Sequence, residues 1–192
     1  MARHGRTASN AGGLLLGRAD PPLDEVGRDQ AARLAASLAA TPGGVDRIVS
    51  SPLGRTAETA AAVGAATGVV VEFDDRFLEL DYGDWDQRPL ADVSADEWAR
   101  WRADIAFAPP GGESLQALGV RVRSALDELA TERGTVVVVS HVSPVKAAVA
   151  WAVGGSDDMS WRLFVAPASV TRIATAGGVP SLHAFNDTSH LG

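Results

Sequence analysis

The sequence Thr135-Val-Val-Val-Val-Ser140 is a continuous run of β-branched residues, which predicts a central strand that is buried on both faces. His141 follows at its carboxyl end, and Ser143-Pro144 then has the cap-and-proline pattern with which helices begin. We therefore predict a strand, a turn and a helix that continues to about Val153. Ligands of open α/β sheets bind at the carboxyl ends of the strands, so His141 is a candidate site residue.

A second unit of the same kind lies earlier in the chain. Val45–Ser50 predicts a short buried strand, and Ser51-Pro52 predicts the start of a helix over residues 53 to about 67. Arg55 then lies in the first helical turn, where helix N-termini favour anions. Because both units end a strand at the same edge of the sheet, we expect Arg55 and His141 to lie close together. Both side chains can bind phosphate.

The remaining patterns alternate between helices and strands. Helices are predicted from Asp24 to about Leu38, from Ser94 to about Ile105 and from Ser114 onwards, and strands at Val69–Phe73, Trp161–Val165, Val170–Thr175 and Ser181–Phe185. The length suits one domain over residues 1–192. We expect a three-layer α/β/α sandwich in which a mostly parallel central sheet carries helices on both faces.

The composition limits the classes of partner. The 192 residues are 46% hydrophobic with a formal net charge of −7, so we expect neither nucleic acid nor an anionic membrane as a partner. No apolar stretch approaches the roughly 20 residues of a membrane span. The chain has no cysteine, and its four histidines lack zinc-ligand spacing. We expect a cytoplasmic protein that binds a small substrate and no metal.

Arg3-His4-Gly5, near the amino terminus, combines three residue types that suit phosphate transfer. The arginine is a fixed cation, the histidine is a nucleophile that is neutral near pH 7, and the glycine lets a bulky oxyanion approach the backbone. A tripeptide alone is weak support, because it also occurs by chance. The Arg55 and His141 units strengthen the interpretation, since they add two more phosphate-binding side chains.

Five motifs follow one another along the chain. They are Arg3-His4-Gly5 with Thr7 and Asn10; Ser50-Ser51-Pro52-Leu53 with Arg55-Thr56; Leu78-Glu79 with Asp81-Tyr82-Gly83-Asp84-Trp85; Pro110-Gly111-Gly112-Glu113-Ser114; and Val139-Ser140-His141. Together they resemble the histidine phosphatase superfamily, with its phosphoglycerate mutase-like fold, over nearly the whole chain. The segment from Ser140 to Lys146 is most similar to the acid phosphatase domains of this superfamily that are elsewhere joined to a ribonuclease H domain, which this chain lacks. As a whole, the chain resembles the acid phosphatase and broad-specificity phosphatase members most.

The resemblance implies phosphoryl transfer in two steps through a phosphohistidine. It implies that His4 attacks phosphorus with one ring nitrogen while a backbone carbonyl holds the other. Arg3 and Arg55 would grip the non-bridging oxygens, and His141 would donate a further hydrogen bond. Glu79 would protonate the leaving oxygen and then take a proton from the attacking water. No metal or other cofactor is implied, because the arginines stabilise the charge of the transferring group.

The resemblance also implies residues around this centre. Asn10 would be an additional phosphate contact, and Gly17 and Arg18 would belong to the rim of the substrate site. An aromatic wall would suit a small, partly apolar leaving group. The residues expected in that wall are Tyr82, Trp85, Trp98 and Trp101. The side chains that compete with Glu79 for the role of the acid are Asp81, Asp84 and Glu113.

The chain departs from the family pattern at several points. Only Met1 and Ala2 precede Arg3, where relatives usually have a full strand. We therefore expect either that the first residue of the chain has been assigned too late or that the central strand is reduced to a stub. Gln87 and Val142 stand where many relatives have glycine. Both positions border the pocket, so they bear on substrate choice more than on chemistry.

The predicted function is a metal-independent phosphomonoesterase that acts on a small phosphorylated metabolite. The chain is shorter than the mutases and lacks a long insertion after the acid-bearing loop, which favours a phosphatase. The alternatives within the class are a phosphoglycerate-type mutase and the ribazole-phosphate phosphatase of cobalamin synthesis. From another class, the alternative is a non-catalytic module that binds a phospho-ligand or a protein. A homodimer is left open.

Overall fold

A computed structural model describes residues 1–192, and a six-stranded sheet forms its centre. The strands are β1 (Ala2–Arg3), β2 (Arg47–Ser50), β3 (Val71–Phe73), β4 (Val136–Ser140), β5 (Val170–Ala174) and β6 (Ser181–Asp187). Their order across the sheet is β3-β2-β4-β1-β5-β6. The first four in that order are parallel, whereas β5 is antiparallel to β1 and β6 is antiparallel to β5. The predicted α/β class is confirmed.

Helices cover both faces of this sheet. They are α1 (Ala8–Ala11), α2 (Glu25–Ala39), α3 (Gly54–Thr67), α4 (Ala95–Ala103), α5 (Leu115–Leu129) and α6 (Val142–Val153). Side chains alternate along a strand, and in β4 Val137 and Val139 pack with α2 and α3, whereas Val138 packs with α5 and α6. The result is the three-layer arrangement. None of the helices combines the length and the apolar character that crossing a membrane requires.

Two helices begin at residues other than the predicted ones. The sequence predicts Ser51 as the cap of α3, but that helix begins at Gly54 and has Leu53 as its N-cap. The Ser51 hydroxyl instead lies 2.8 Å from Nε2 of His141. The helix α6 begins at Val142, so that His141 itself is the N-cap. At α3 the Ser51 side chain contacts His141 rather than capping the helix, and at α6 the Ser143 backbone N–H lies inside the helix start, where it donates to Glu79.

The predicted strand at Trp161–Val165 is wrong. Residues Asp157–Arg162 form a 3₁₀ helix, and the backbone that follows is irregular. The alternating apolar pattern is typical of a strand, but here tertiary packing decides the conformation. The Trp161 ring packs edge-to-face on Trp101 with the ring centroids 5.0 Å apart. This segment therefore belongs to the wall of a cavity and not to the sheet.

The strand β1 has two residues, and it is paired on both sides. Ala2 lies opposite Val139 of the parallel neighbour and Val170 of the antiparallel one. The pairing continues beyond the strand, because the His4 N–H donates to the Ser140 carbonyl at 3.0 Å and the His4 carbonyl accepts from the Ala168 N–H at 3.0 Å. The backbone at His4 is therefore held from both sides, although β1 is the stub that the sequence suggests.

A pair of glycines lets α2 pack closely against the loop that follows β1. A Cβ atom on Gly5 would collide with the carbonyl group of Gly27, and one on Gly27 would collide with the backbone of Arg6. Gly27 falls in the small and apolar stripe that predicts the buried face of this helix. The close approach explains why this position is glycine, and it fixes the backbone immediately after His4.

Candidate active site

His4 lies at the carboxyl end of β1 and is buried. Its Nδ1 is 2.6 Å from the carbonyl oxygen of Gly5, and because a carbonyl only accepts, Nδ1 carries the hydrogen. No protein group hydrogen-bonds the other ring nitrogen, Nε2. Burial, reinforced by the Arg3 and Arg55 cations, lowers the pKa of His4 well below its ordinary value of 6.5. The ring is therefore neutral near pH 7, and its lone pair is free on Nε2.

Two buried arginines flank this ring, and backbone carbonyls hold both. Arg3 donates from Nη1 to the Val165 carbonyl at 2.6 Å. Arg55 donates from Nη2 to the Gly17 carbonyl at 2.8 Å and from Nη1 to the Ala19 carbonyl at 2.7 Å. The Nε atom of each arginine is buried without a partner. Burial lowers the pKa of Arg3 to about 10, so it remains a cation near pH 7. Unpartnered cationic donors are suited to an anion.

His141 faces His4 across the site, with the ring centroids 5.2 Å apart in an edge-to-face arrangement. Its Nε2 lies 2.8 Å from the Ser51 hydroxyl oxygen, and its Nδ1 is buried without a partner. The hydroxyl can donate to Nε2, which leaves the ring hydrogen on Nδ1 for a ligand. Burial and the Arg55 cation lower the pKa of His141 well below 6.5. The ring is therefore neutral when the site is empty.

The Glu79 carboxylate is held at the N-terminus of α6. Its Oε1 accepts from the backbone N–H groups of Leu80 at 2.7 Å and Ser143 at 3.1 Å, and its Oε2 accepts from that of Val142 at 3.1 Å. Negative charge is favourable at a helix N-terminus. The side chain is only 3% exposed, so it is fixed in one orientation beside the same cavity as His4.

A cavity of about 280 Å³ opens onto part of this site. Arg3, His4 and Glu79 line it, whereas Arg55 and His141 are not among its lining residues. Its apolar lining includes Leu14–Leu16, Leu90, Trp98, Trp101 and Trp161. No group of three or more His, Asp or Glu side chains is arranged to hold a metal ion. The cations that line the cavity are Arg3 and Lys146.

The other predicted contacts divide into two pairs. Asn10 and Tyr82 line the cavity, whereas Gly17 and Arg18 do not. Asn10 also completes a capping box at the start of α1, a helix that the sequence does not predict. Gly17 holds Arg55 through its carbonyl, and Arg18 lies 3.9 Å from the Glu113 carboxylate. As substrate contacts, these residues stay predictions.

The four candidate acids differ in their surroundings. Only Glu79 lines the cavity. Glu113 is paired with Arg121 at 2.7 Å, Asp81 accepts a hydrogen bond within a local turn, and Asp84 is exposed. The geometry therefore favours Glu79 for proton transfer to and from a bound ligand.

The aromatic wall differs from the one that the sequence predicts. Trp85 is buried behind it, packed against Trp101 at 5.6 Å, and does not line the cavity. Trp161 lines it instead, and sequence reasoning missed this residue because it assigned the segment to a strand. It also missed Lys146, which lines the cavity one turn after Val142 on α6. Residues four apart lie on one face of a helix, so the position of Val142 could have predicted that Lys146 also lines the cavity.

This fold and site define an α/β protein with a neutral, buried histidine and two buried arginines near the carboxyl ends of parallel strands. The sequence profile of the histidine phosphatase superfamily (branch 1) matches residues 1–188. The chain therefore belongs to the histidine phosphatase superfamily.

Individual relatives agree with this membership. The bifunctional protein Rv2228c of Mycobacterium tuberculosis is 35% identical over 198 residues, which cover 100% of this chain and 54% of that protein. The chain thus spans about half the length of that relative. Glucosyl-3-phosphoglycerate phosphatase of M. tuberculosis is 36% identical over 184 residues, covering 84% of this chain and 82% of that protein. The structure of mycobacterial glucosyl-3-phosphoglycerate phosphatase Rv2419c with VO3 superposes with a TM-score of 0.88 at 32% identity, covering 98% of each chain.

Proposed function

We propose that this chain is a metal-independent phosphatase that hydrolyses small phosphomonoesters through a phosphohistidine on His4. One observation carries the proposal: the carbonyl of Gly5 fixes the hydrogen on Nδ1 of His4, which leaves Nε2 neutral and without a partner, and three donors on neighbouring side chains are also buried without a partner. Those donors are Arg3 Nε, Arg55 Nε and His141 Nδ1. The relative that is a glucosyl-3-phosphoglycerate phosphatase supports a small phosphorylated metabolite as the substrate.

In the first step, Nε2 of His4 attacks phosphorus. The Nε2–P bond forms while the bond from phosphorus to the ester oxygen breaks, and the Glu79 carboxyl group, which enters this step protonated, gives its proton to the departing oxygen and becomes the carboxylate. Arg3, Arg55 and His141 bind the three equatorial oxygens, whose negative charge spreads in the transition state. Because the arginines are already held by backbone carbonyls, little reorganisation is required.

In the second step, water attacks the phosphorus of phosphohistidine. The Glu79 carboxylate takes a proton from that water, the N–P bond breaks, and inorganic phosphate and neutral His4 are released. One carboxyl group thus serves both steps with opposite proton transfers. Its three backbone N–H contacts keep it in place for both.

Hydrolysis of p-nitrophenyl phosphate from pH 4 to 8 with excess chelator tests the proposal. We expect turnover to survive the chelator and to fall at least about 10³-fold in His4→Ala, because the nucleophile is lost. His183→Ala is the matched control, since His183 is exposed on β6 and away from the site. Its rate should equal that of the unsubstituted chain.

Three results would contradict the proposal. Turnover that the chelator abolishes would indicate metal-dependent chemistry. Phosphate binding without turnover in the folded protein would indicate the non-catalytic module. Conversion of 3-phosphoglycerate to its 2-isomer faster than release of phosphate would indicate a mutase. The cytoplasmic location, the single domain and the homodimer stay predictions from the sequence.

A further inference from the structure

Lys146 is the only lysine among the 17 lysine and arginine residues of the chain, and it lines the same cavity as His4. It lies on α6 one turn after Val142, whose backbone N–H binds Glu79. Residues four apart lie on one face of a helix, so Lys146 shares the side of α6 that holds the acid. No step of the proposed hydrolysis uses this cation.

The ammonium group of Lys146 is half-buried and poorly compensated. Its Nζ donates to the Ser160 carbonyl at 2.8 Å, and it forms no ion pair with a carboxylate. Burial lowers the pKa of Lys146, the Glu79 carboxylate acts to raise it, and Arg3 acts to lower it further. An ammonium has three donors, and the protein accepts from one of them. The remaining donors are suited to an anion, because ammonium N–H groups form strong hydrogen bonds with carboxylate and phosphate oxygens.

Two further donors without partners lie in the aromatic wall. The indole Nε1 atoms of Trp101 and Trp161 are both buried without a hydrogen-bond partner, and both residues line the cavity. Ser160, which holds the ammonium, immediately precedes Trp161 in the chain. Apart from Arg3 Nε beside His4, the unsatisfied polar groups of the lining residues are therefore an ammonium and two N–H groups, all of them donors. A carboxylate supplies several acceptor positions and the missing negative charge.

We propose that Lys146 binds a carboxylate on the leaving group of the substrate, with the indole N–H groups of Trp101 and Trp161 as additional donors. The inference rests on the proposed function, which puts the phosphoryl group at His4. The phosphoryl group already has its own donors at Arg3 and at the buried groups behind it. The substrate class is then a small phosphomonoester whose alcohol carries a carboxylate. Lys146 is a specificity residue for this class.

Matched substrate pairs test this inference. 3-Phosphoglycerate and sn-glycerol 3-phosphate differ by a carboxylate against a hydroxymethyl group, and phosphoserine and phosphoethanolamine differ by a carboxylate against hydrogen. The measurement is the ratio of kcat/KM within each pair. We expect a ratio of about tenfold or more in favour of the carboxylate in at least one pair, as for a site whose buried polar groups require a partner.

Variants at position 146 show whether Lys146 causes the preference for the substrate with a carboxylate. In Lys146→Met the ratio should fall about tenfold, and Lys146→Arg should restore part of it, because the guanidinium also binds carboxylates. Arg133→Met is the control for the loss of one positive charge, since Arg133 is exposed and lies outside the cavity. A ratio near one in the unsubstituted chain, or an equal ratio in Lys146→Met, would overturn the inference. Hydrolysis of p-nitrophenyl phosphate in the same preparations shows separately whether the proposed function stands.

A spectroscopic measurement does not depend on turnover. Reductive ¹³C-methylation keeps the charge of lysine, and a single lysine gives one side-chain signal beside that of the terminal amine. In His4→Ala, 3-phosphoglycerate should shift this signal more than sn-glycerol 3-phosphate or inorganic phosphate does, and should raise the pKa of the amine. Equal shifts with all three compounds would place Lys146 at the phosphoryl group and would overturn the inference.

Discussion

The two ends of the cavity differ in how firmly the protein holds their polar side chains. At the phosphoryl end, backbone groups hold three of them: Gly5 holds His4, Gly17 holds Arg55, and the start of α6 holds Glu79. The donors left without a partner there are single atoms of side chains that are fixed elsewhere. At the leaving-group end, the indoles of Trp101 and Trp161 have no partner, and Lys146 has one. Hydrogen bonds therefore fix the side chains of the first end more than those of the second. Substitutions at the phosphoryl end are therefore expected to reduce turnover strongly, whereas substitutions at the leaving-group end are expected to change the preference among substrates.

The largest expected effect is at the phosphoryl end, in Glu79→Gln. The amide cannot deliver the proton, so hydrolysis of alkyl phosphates should fall by about 10² to 10⁴. With p-nitrophenyl phosphate, the rate of the phosphorylation step should fall much less, because its leaving group needs little protonation. Rates for sn-glycerol 3-phosphate and p-nitrophenyl phosphate, measured by rapid quench, give the two losses. Equal losses for both esters would argue against Glu79 as the acid.

The free energy of unfolding should depend on pH because of the two buried histidines at the phosphoryl end. His4 and His141 have pKa values well below 6.5 when folded, and ordinary values near 6.5 when unfolded. The unfolded chain then binds more protons below pH 6.5, so the free energy of unfolding falls as the pH falls, by up to about 1.4 kcal/mol per histidine and pH unit. Urea unfolding at pH 7.5, 6.5 and 5.5 measures this slope. The α-amino group of Met1 adds to the slope, because burial lowers its pKa from 8.0 to about 5. The pKa of the Asp24 carboxyl is lowered from an ordinary value that already lies below this range.

Two comparisons make the pH experiment specific. His4→Gln should have a shallower slope between pH 6.5 and 5.5, because one titrating group is removed. Inorganic phosphate should also reduce the slope, since a bound anion favours the protonated histidines. A free energy of unfolding that is constant or rising from pH 7.5 to 5.5 would contradict the neutral, buried histidines.

A smaller effect is expected for Ser51→Ala. The Ser51 hydroxyl lies 2.8 Å from Nε2 of His141. When it donates to Nε2, the ring hydrogen is on Nδ1, and without the hydroxyl both tautomers become populated. We expect kcat to fall about tenfold with little change in KM, because the hydrogen bond to the transferring group is weakened. Urea unfolding of the same variant separates this loss from a general loss of stability. A change in KM alone would show that Ser51 does not act through His141.

The smallest effect is expected at the leaving-group end, in Trp161→Phe. The substitution keeps an aromatic ring in the wall and removes one donor. For 3-phosphoglycerate, KM should rise by about three- to tenfold, the equivalent of one hydrogen bond. The KM of sn-glycerol 3-phosphate should change less. If both substrates respond alike, the N–H group serves packing rather than recognition, and the contrast between the two ends weakens.

The same contrast appears in what the sequence could predict. His141 and Arg55 follow directly from strand and helix-start patterns, and strand ends of a parallel sheet meet at one edge. The short β1 did not prevent the placement of His4, because its neighbours β4 and β5 pair with the backbone there. Local patterns therefore place Arg55 and His141, whereas the choice of Glu79 comes from the resemblance to the family.

The leaving-group end depends on tertiary packing, which local patterns do not contain. Trp161 stands in a stretch typical of a strand, yet contact with Trp101 accompanies a 3₁₀ helix there. Trp85, expected in the wall, is buried behind it. Ser51 and Ser143 look like helix caps, but one binds His141 and the other binds Glu79 through its backbone. In each case a long-range contact outweighs the local preference.

The central claim is a covalent phosphohistidine on His4, and trapping it is the most direct measurement. The enzyme is mixed with p-nitrophenyl phosphate, quenched with alkali within one turnover, digested and analysed by mass spectrometry. The account predicts a phosphoryl group on the peptide that contains His4, formed as fast as p-nitrophenol is released in that turnover, and absent in His4→Ala. Release of p-nitrophenol without any phosphorylated His4, or a phosphoryl group on another residue, would contradict it.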